Sequence, residues 1–137
     1  IAFVCTGNTC RSPMAEAIFN DMAEKNGVCV RAESFGIATS TGLPVSENSV
    51  IACKEIGIDL SGKASTAVAD AGIEKYEKIY CMSQSHAKML MQFFLVQPEK
   101  IAVLGISDPY GGDIDVYRHC RDEIVNSVKE ILKAYEN

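Results

Sequence analysis

The chain has no tryptophan, only two histidines and four prolines, and no excess of positive charge: 13 Lys and Arg stand against 18 Asp and Glu, giving a net charge of −5. Such a balance provides no global attraction to nucleic acid or to an anionic membrane face, so any anion must be captured by a local site. A run of about 18 uncharged apolar residues is also missing, which excludes a transmembrane helix. No basic segment leading into an apolar one opens the sequence, so no secretory leader is expected. Six cysteines are present, yet there is no Cys-x-x-Cys pair, and neither His86 nor His119 has ligand spacing to any of them. No metal site and no other cofactor are expected.

What is present is a core. With 47% hydrophobic residues in 137, one apolar interior is large enough to need no disulfide staples. Cys5, Cys29 and Cys81 end or sit inside apolar strand-like runs, and Cys53 and Cys120 fall on helical patterns, where a free thiol behaves as a small buried hydrophobe. No repeat, linker or low-complexity tract divides the chain. The expectations are one domain over residues 1–137, a reducing cytoplasm and a monomer.

Short apolar runs at Ile1 to Cys5, Val28 to Ala32, Lys78 to Met82 and Ile101 to Leu104 read as strands buried on both faces. Between and after them lie helical patterns at about 13–26, 47–56, 84–95 and 114–135. In the last, Ile114, Tyr117, Cys120, Ile124, Val128, Ile131 and Tyr135 recur every three or four residues as one apolar stripe. Strands alternating with helices imply right-handed crossovers. The fold class is therefore three-layer α/β, a central parallel four-stranded sheet with helices on both faces. Ligands of such sheets bind beyond the carboxyl ends of the strands.

The segment after the first strand carries the strongest signal. Cys5-Thr6-Gly7-Asn8-Thr9-Cys10-Arg11-Ser12-Pro13 links an apolar strand to a helical pattern, and Pro13 suits a first helical turn. A helix N-terminus with free N–H groups attracts phosphate. Gly7 allows a tight turn, successive N–H groups from Thr6 to Arg11 can form a nest around phosphoryl oxygens, and Arg11 adds a bidentate clamp. Asn8 can fix a left-handed or tight conformation. For Cys5 these surroundings favour thiolate over thiol, making it a nucleophile for a phospho-cysteine step, with Ser12 able to donate to its sulfur. Expelling an alcohol or a guanidine from phosphorus also needs a general acid. Asp108-Pro-Tyr110-Gly-Gly-Asp113, soon after the fourth strand, is a loop at the same sheet edge, where Asp108 can overhang the phosphate mouth and Tyr110 can form an aromatic wall.

The segment CTGNTCRSPMAEAIF resembles the signature loop of the low-molecular-weight protein tyrosine phosphatases, and the Asp108-Pro109 loop resembles that family's acid loop. The likeness extends through Ser34-Phe-Gly36 and Tyr80-Cys-Met-Ser83 to cover nearly the whole chain. It implies a cysteine-dependent phosphatase of phosphorylated proteins, needing no cofactor, with Cys5 and Arg11 catalytic, Asp108 as the acid, and Thr6, Gly7, Asn8, Thr9, Cys10, Ser12 and Tyr110 around the substrate. Two departures stand out. Many relatives have a histidine near Gly62 bracing the loop asparagine and an aromatic residue near Ala38; neither is here, so Ser34 or Ser61 is expected to hold Asn8. Thr9 replaces the apolar β-branched residue common in tyrosine-specific relatives and resembles a bacterial branch acting on phosphoarginine. A hydroxyl there suits a guanidinium better than a phenyl ring, although Thr can also pack as a Val isostere.

Two readings compete with a phosphatase. Arsenate reductase of the same fold needs two further redox cysteines close together after the third strand, where only Cys81 is found. A non-catalytic anion-binding domain needs no combination of Cys, Ser and Asp. Cys10, five residues from Cys5, is positioned in sequence for a reversible disulfide that would guard the thiolate. His86 and His119 are read as surface or helix residues with no catalytic role.

Overall fold

The structure, a computed structural model, describes residues 1–136. Four strands, β1 (Ala2–Cys5), β2 (Glu33–Gly36), β3 (Ile79–Cys81) and β4 (Ile101–Val103), form one parallel sheet in the order β2-β1-β3-β4. The principal helices are α1 (Arg11–Lys25), α2 (Glu47–Lys54), α3 (Gln84–Phe93) and α4 (Ile114–Lys133). The anticipated three-layer α/β class is therefore the observed one, with helix ends within about two residues of the sequence reading.

Strand periodicity assigns the two faces of β1. Phe3 and Cys5 point into the larger core with Met14, Ile18 and Phe19 of α1 and Ile124 and Val128 of α4, while Ala2 and Val4 point into the second core with Phe35, Ile73 and Leu90. Phe3 is fully buried and meets the ring of Phe19 edge-on at 6.0 Å. Removing such a ring costs about 3–5 kcal/mol. In α4 the expected stripe is the buried face: Tyr117, Cys120, Ile124, Val128 and Ile131 are all buried. Asp113 starts that helix by accepting from Val116 N–H at 3.1 Å.

Three expectations need correction. The second strand is not Val28 to Ala32 but Glu33–Gly36. Val28 N–H closes the end of α1 by donating to Ala23 O, and the Asn20 side chain occupies both the N–H and the carbonyl of Ala32. With those groups taken, sheet pairing begins at Glu33. As a result Cys29 is exposed rather than a core residue. The third correction is β4, which is not buried on both faces: it lies at the sheet edge and Val103 is 40% exposed.

Candidate active site

Because every strand is parallel, the segments following β1, β3 and β4 emerge at one edge. Cys5 ends β1 on the α1 face, and the chain from Thr6 to Cys10 then turns into α1, whose first two residues are Arg11 and Ser12. A pocket of about 230 Å³ opens there, lined by Cys5, Thr6, Gly7, Thr9, Cys10, Arg11, Asp108 and Tyr110. The sequence reading thus named every residue of its wall. Asn8 and Ser12 lie behind that wall, fully buried.

The loop is held by directed hydrogen bonds. Asn8 takes the left-handed conformation, φ 54°, which aims its backbone N–H at Cys5 Sγ, 3.2 Å away. Its side-chain amide donates to Ser12 Oγ at 2.7 Å and Ser34 Oγ at 3.0 Å, and its Oδ1 accepts from Thr66 N–H at 2.8 Å. Ser34 Oγ donates to Glu16 Oε1, whose other oxygen pairs with Lys63 Nζ at 2.9 Å. Ser12 Oγ lies 2.9 Å from Cys5 Sγ, where its hydroxyl can donate to a thiolate. A thiolate would therefore meet two donors here. Of the two braces expected for Asn8, Ser34 is the real one; Ser61 is engaged with Asp59 instead.

Two glycines divide their roles unexpectedly. Gly7 does not carry the left-handed turn, and a Cβ there would meet only Thr9 Oγ1 at 3.4 Å. The close approach falls on Gly36 at the end of β2, where a Cβ would lie 2.7 Å from Thr39 Cγ2 and 3.0 Å from both Gly7 C and Thr6 O. Among the described residues, the backbone N–H groups of Thr6, Gly7 and Thr9 have no acceptor within the chain. They supply the positive field expected of an anion cradle.

Arg11 is 5% exposed, and its Nη1 donates to Ile106 O at 2.9 Å, fixing the guanidinium against the segment after β4. Its Nη2 lies 3.7 Å from Asp108 Oδ2. Asp108 is turned into the loop by accepting from Tyr110 N–H through Oδ1, while Tyr110 itself is 81% exposed at the rim. Cys10 Sγ points to the Tyr117 hydroxyl at 3.4 Å and the Ser46 hydroxyl at 3.6 Å. Burial, with the Cys10 contact, pushes the Tyr117 phenol up to about 12.

Three contributors were not legible beforehand. Glu16 lies one turn along α1 from Ser12, which was a usable spacing; Lys63 and Thr66 arrive from a segment with no signal. Of the two readings of His86, surface or helix, the helix one holds: it lies in the first turn of α3 and is only 3% exposed, with Nε2 2.8 Å from Thr6 Oγ1 and Nδ1 3.2 Å from Ser83 N. Burial, helped by the nearby charge of Arg11, lowers its pKa to about 4. The spacing Ser83-x-x-His86 directly after β3 was the available sign. His119, by contrast, is an exposed α4 residue near Glu123. Cys81 and Cys120, the other thiols an arsenate reductase could recruit, are buried and pushed up to about 12, chiefly by desolvation. That is poor chemistry for a thiolate relay.

Known proteins give the same picture. The family model described as low molecular weight phosphotyrosine protein phosphatase matches residues 1–137. A protein-arginine-phosphatase of Bacillus subtilis is 33% identical across 97% of this chain and 94% of its own length. The low molecular weight phosphotyrosine protein phosphatase of Saccharomyces cerevisiae is 31% identical, covering 97% and 92%. Among solved structures, the YwlE arginine phosphatase, as a cysteine-to-serine mutant phosphorylated on its active-site serine, superposes with a TM-score of 0.92 at 32% identity, covering 97% of this chain and 93% of its own. The loop from Cys5 to Ser12 and the Asp108 loop converging on one pocket, on a matching fold and at this identity over the full length, place the chain in the low molecular weight phosphotyrosine protein phosphatase family.

Proposed function

We propose that the chain dephosphorylates proteins through a phospho-cysteine at Cys5, with phosphoarginine as the preferred substrate. The observation that carries the mechanism is Cys5 Sγ at the floor of the pocket, met by Asn8 N–H and Ser12 Oγ, with the Arg11 guanidinium and Asp108 carboxyl above. The free N–H groups and Arg11 hold the phosphoryl oxygens. The Cys5 thiolate attacks phosphorus, an S–P bond forms, and the bond to the leaving nitrogen or oxygen breaks as Asp108 gives that atom its proton. In the second step Asp108, now a carboxylate, takes a proton from water as the water oxygen attacks phosphorus. Phosphate leaves and the thiolate is regenerated, with Ser12 and Asn8 N–H stabilising sulfur as the leaving group.

Two observations support phosphoarginine. Thr9 presents a hydroxyl on the pocket wall, and the Asp108 carboxyl at the mouth can give its proton to the leaving nitrogen through one oxygen while the other accepts from a neighbouring guanidinium N–H. The relatives at 33% and 34% identity named protein-arginine-phosphatase point the same way. One feature favours phosphotyrosine as a second reading: the exposed ring of Tyr110 at the rim can stack on a phenyl group. The deciding measurement is kcat/KM on matched phosphoarginine, phosphotyrosine and phosphoserine peptides, for the native enzyme and Thr9→Ile. Preference for phosphoarginine that Thr9→Ile moves toward phosphotyrosine is the expected outcome; a preference untouched by Thr9→Ile removes Thr9 from the specificity argument. Unpaired thiols at all six cysteines suit work in a reducing cytoplasm, and the proposed active unit is the monomer, checked by sedimentation at assay concentration.

A further inference from the structure

His86 is buried behind the pocket residue Thr6 and belongs to α3, an element that contributes nothing to the pocket lining. The hydrogen bonds around its ring leave one arrangement. Ser83 N–H can only donate, and it points at His86 Nδ1 from 3.2 Å, so Nδ1 is an acceptor without a proton. A neutral imidazole then carries its hydrogen on Nε2, which lies 2.8 Å from Thr6 Oγ1. Thr6 Oγ1 must accept that hydrogen. Its own hydroxyl hydrogen is thereby turned away from His86, and Thr6 lines the pocket next to Cys5.

We propose that His86 is a positioning residue that holds the Thr6 hydroxyl as a donor into the anion pocket, adding a side-chain hydrogen bond to a phosphoryl oxygen beyond those of the backbone cradle. Burial and the neighbouring Arg11 charge keep the ring neutral down to about pH 4, so this polarity persists through the working range. A protonated ring would set its Nδ1–H against Ser83 N–H.

The ring has two duties, capping α3 through Nδ1 and orienting Thr6 through Nε2, and substitutions can part them. In His86→Asn, Oδ1 stands where Nδ1 stood and keeps the acceptor for Ser83 N–H, while the Nε2 donor is gone. In His86→Gln, the amide nitrogen reaches the Nε2 position, and the cap is lost. Thr6→Val removes the hydroxyl at nearly constant shape. The readout is the competitive inhibition constant of inorganic phosphate, with thermal stability measured alongside. Thr6→Val and His86→Asn should each weaken phosphate by about tenfold, the worth of one hydrogen bond to a charged group. The double variant should lose no more than either alone, and His86→Gln should recover most of the affinity at reduced stability. Phosphate inhibition unchanged in His86→Asn, or losses that add in the double variant, would overturn the proposal. The inference rests on the phosphatase reading, and the native enzyme separates the two: if inorganic phosphate does not compete at all, the pocket assignment itself fails, whereas native competition with an indifferent His86→Asn sinks only the role of His86.

Discussion

The loop after β1 and the loop after β4 meet over one pocket but are built in opposite ways. From Cys5 to Ser12 the key polar groups are buried and cross-braced: Asn8 and Ser12 are fully buried, and Asn8 alone is tied to Ser12, Ser34 and Thr66. From Ile106 to Asp113 the chain is largely exposed, with the Asp108 side chain 54% accessible and tethered by a contact to its own loop. The lesson is one of division of labour. An anion cradle must keep its donors fixed before substrate arrives, since preorganised dipoles need no rearrangement as charge develops. A proton donor must meet leaving groups of differing shape and exchange protons with water, which exposure permits. Arg11 joins the two, rooted in the buried loop and reaching Ile106 O and Asp108 in the open one.

Substitutions in the two loops should therefore fail differently. Cys5→Ser should cause the largest loss, at least about 10⁴-fold in turnover, because a serine hydroxyl is a weaker nucleophile than a thiolate and its alkoxide a poorer leaving group from phosphorus. Phosphate binding should survive, as read by equilibrium titration. Turnover of an aryl phosphate by that variant at near-native rate would refute the nucleophile assignment. Asp108→Asn should lower kcat by about 10²–10⁴-fold with little change in melting temperature, and the defect should shrink for substrates whose leaving group needs no proton. A defect independent of the leaving group would mean that Asp108 is not the acid.

The braced loop should instead lose stability along with activity. Asn8→Ala removes the bonds to buried Ser12 and Ser34 and to the half-buried Thr66 N–H and asks alanine to hold a φ of 54°, at a cost of about 2–4 kcal/mol in denaturant unfolding. Gly36→Ala should cost about 1–3 kcal/mol by overpacking against the backbone of Thr6 and Gly7, while Gly7→Ala, whose Cβ would make only an ordinary contact with Thr9 Oγ1, should cost less. Equal effects at the two glycines would contradict the geometry. The smallest effect is a pH slope. His86 titrates near 6.5 when unfolded but at about 4 when folded, so between those values the unfolded chain binds more protons and stability falls as pH is lowered from 6.5 to 4, with no contribution above. His86→Asn should flatten that part of the profile relative to the native protein.

Cys10 shares the pocket wall with Cys5 but turns its sulfur toward Tyr117 and Ser46. If it guards the nucleophile, mild peroxide should inactivate the enzyme and a thiol restore it, and Cys10→Ala should lose that recovery. Recovery unaltered in Cys10→Ala would remove the guard role.

The sequence alone determined the elements whose information is local. Strand, polar loop and helix start at residues 1–13 are contiguous, so the cradle, its cysteine and its arginine could be read from spacing, and the α4 stripe from its period. The alternation of strands with helices then implied the parallel sheet and the edge where Asp108 would arrive. Tertiary structure decided what local pattern cannot carry. Asn20 withholds Ala32 from the sheet and so moves β2 to Glu33; Gly36, rather than Gly7, is the glycine that the loop requires. Lys63 and Thr66 brace a loop more than 50 residues away in sequence, and His86 reaches Thr6 across 80. Each of these depends on two segments with no mutual periodicity being brought within 3 Å or so by the packing of a core, and such hydrogen bonds take their direction from partners that only the folded chain supplies.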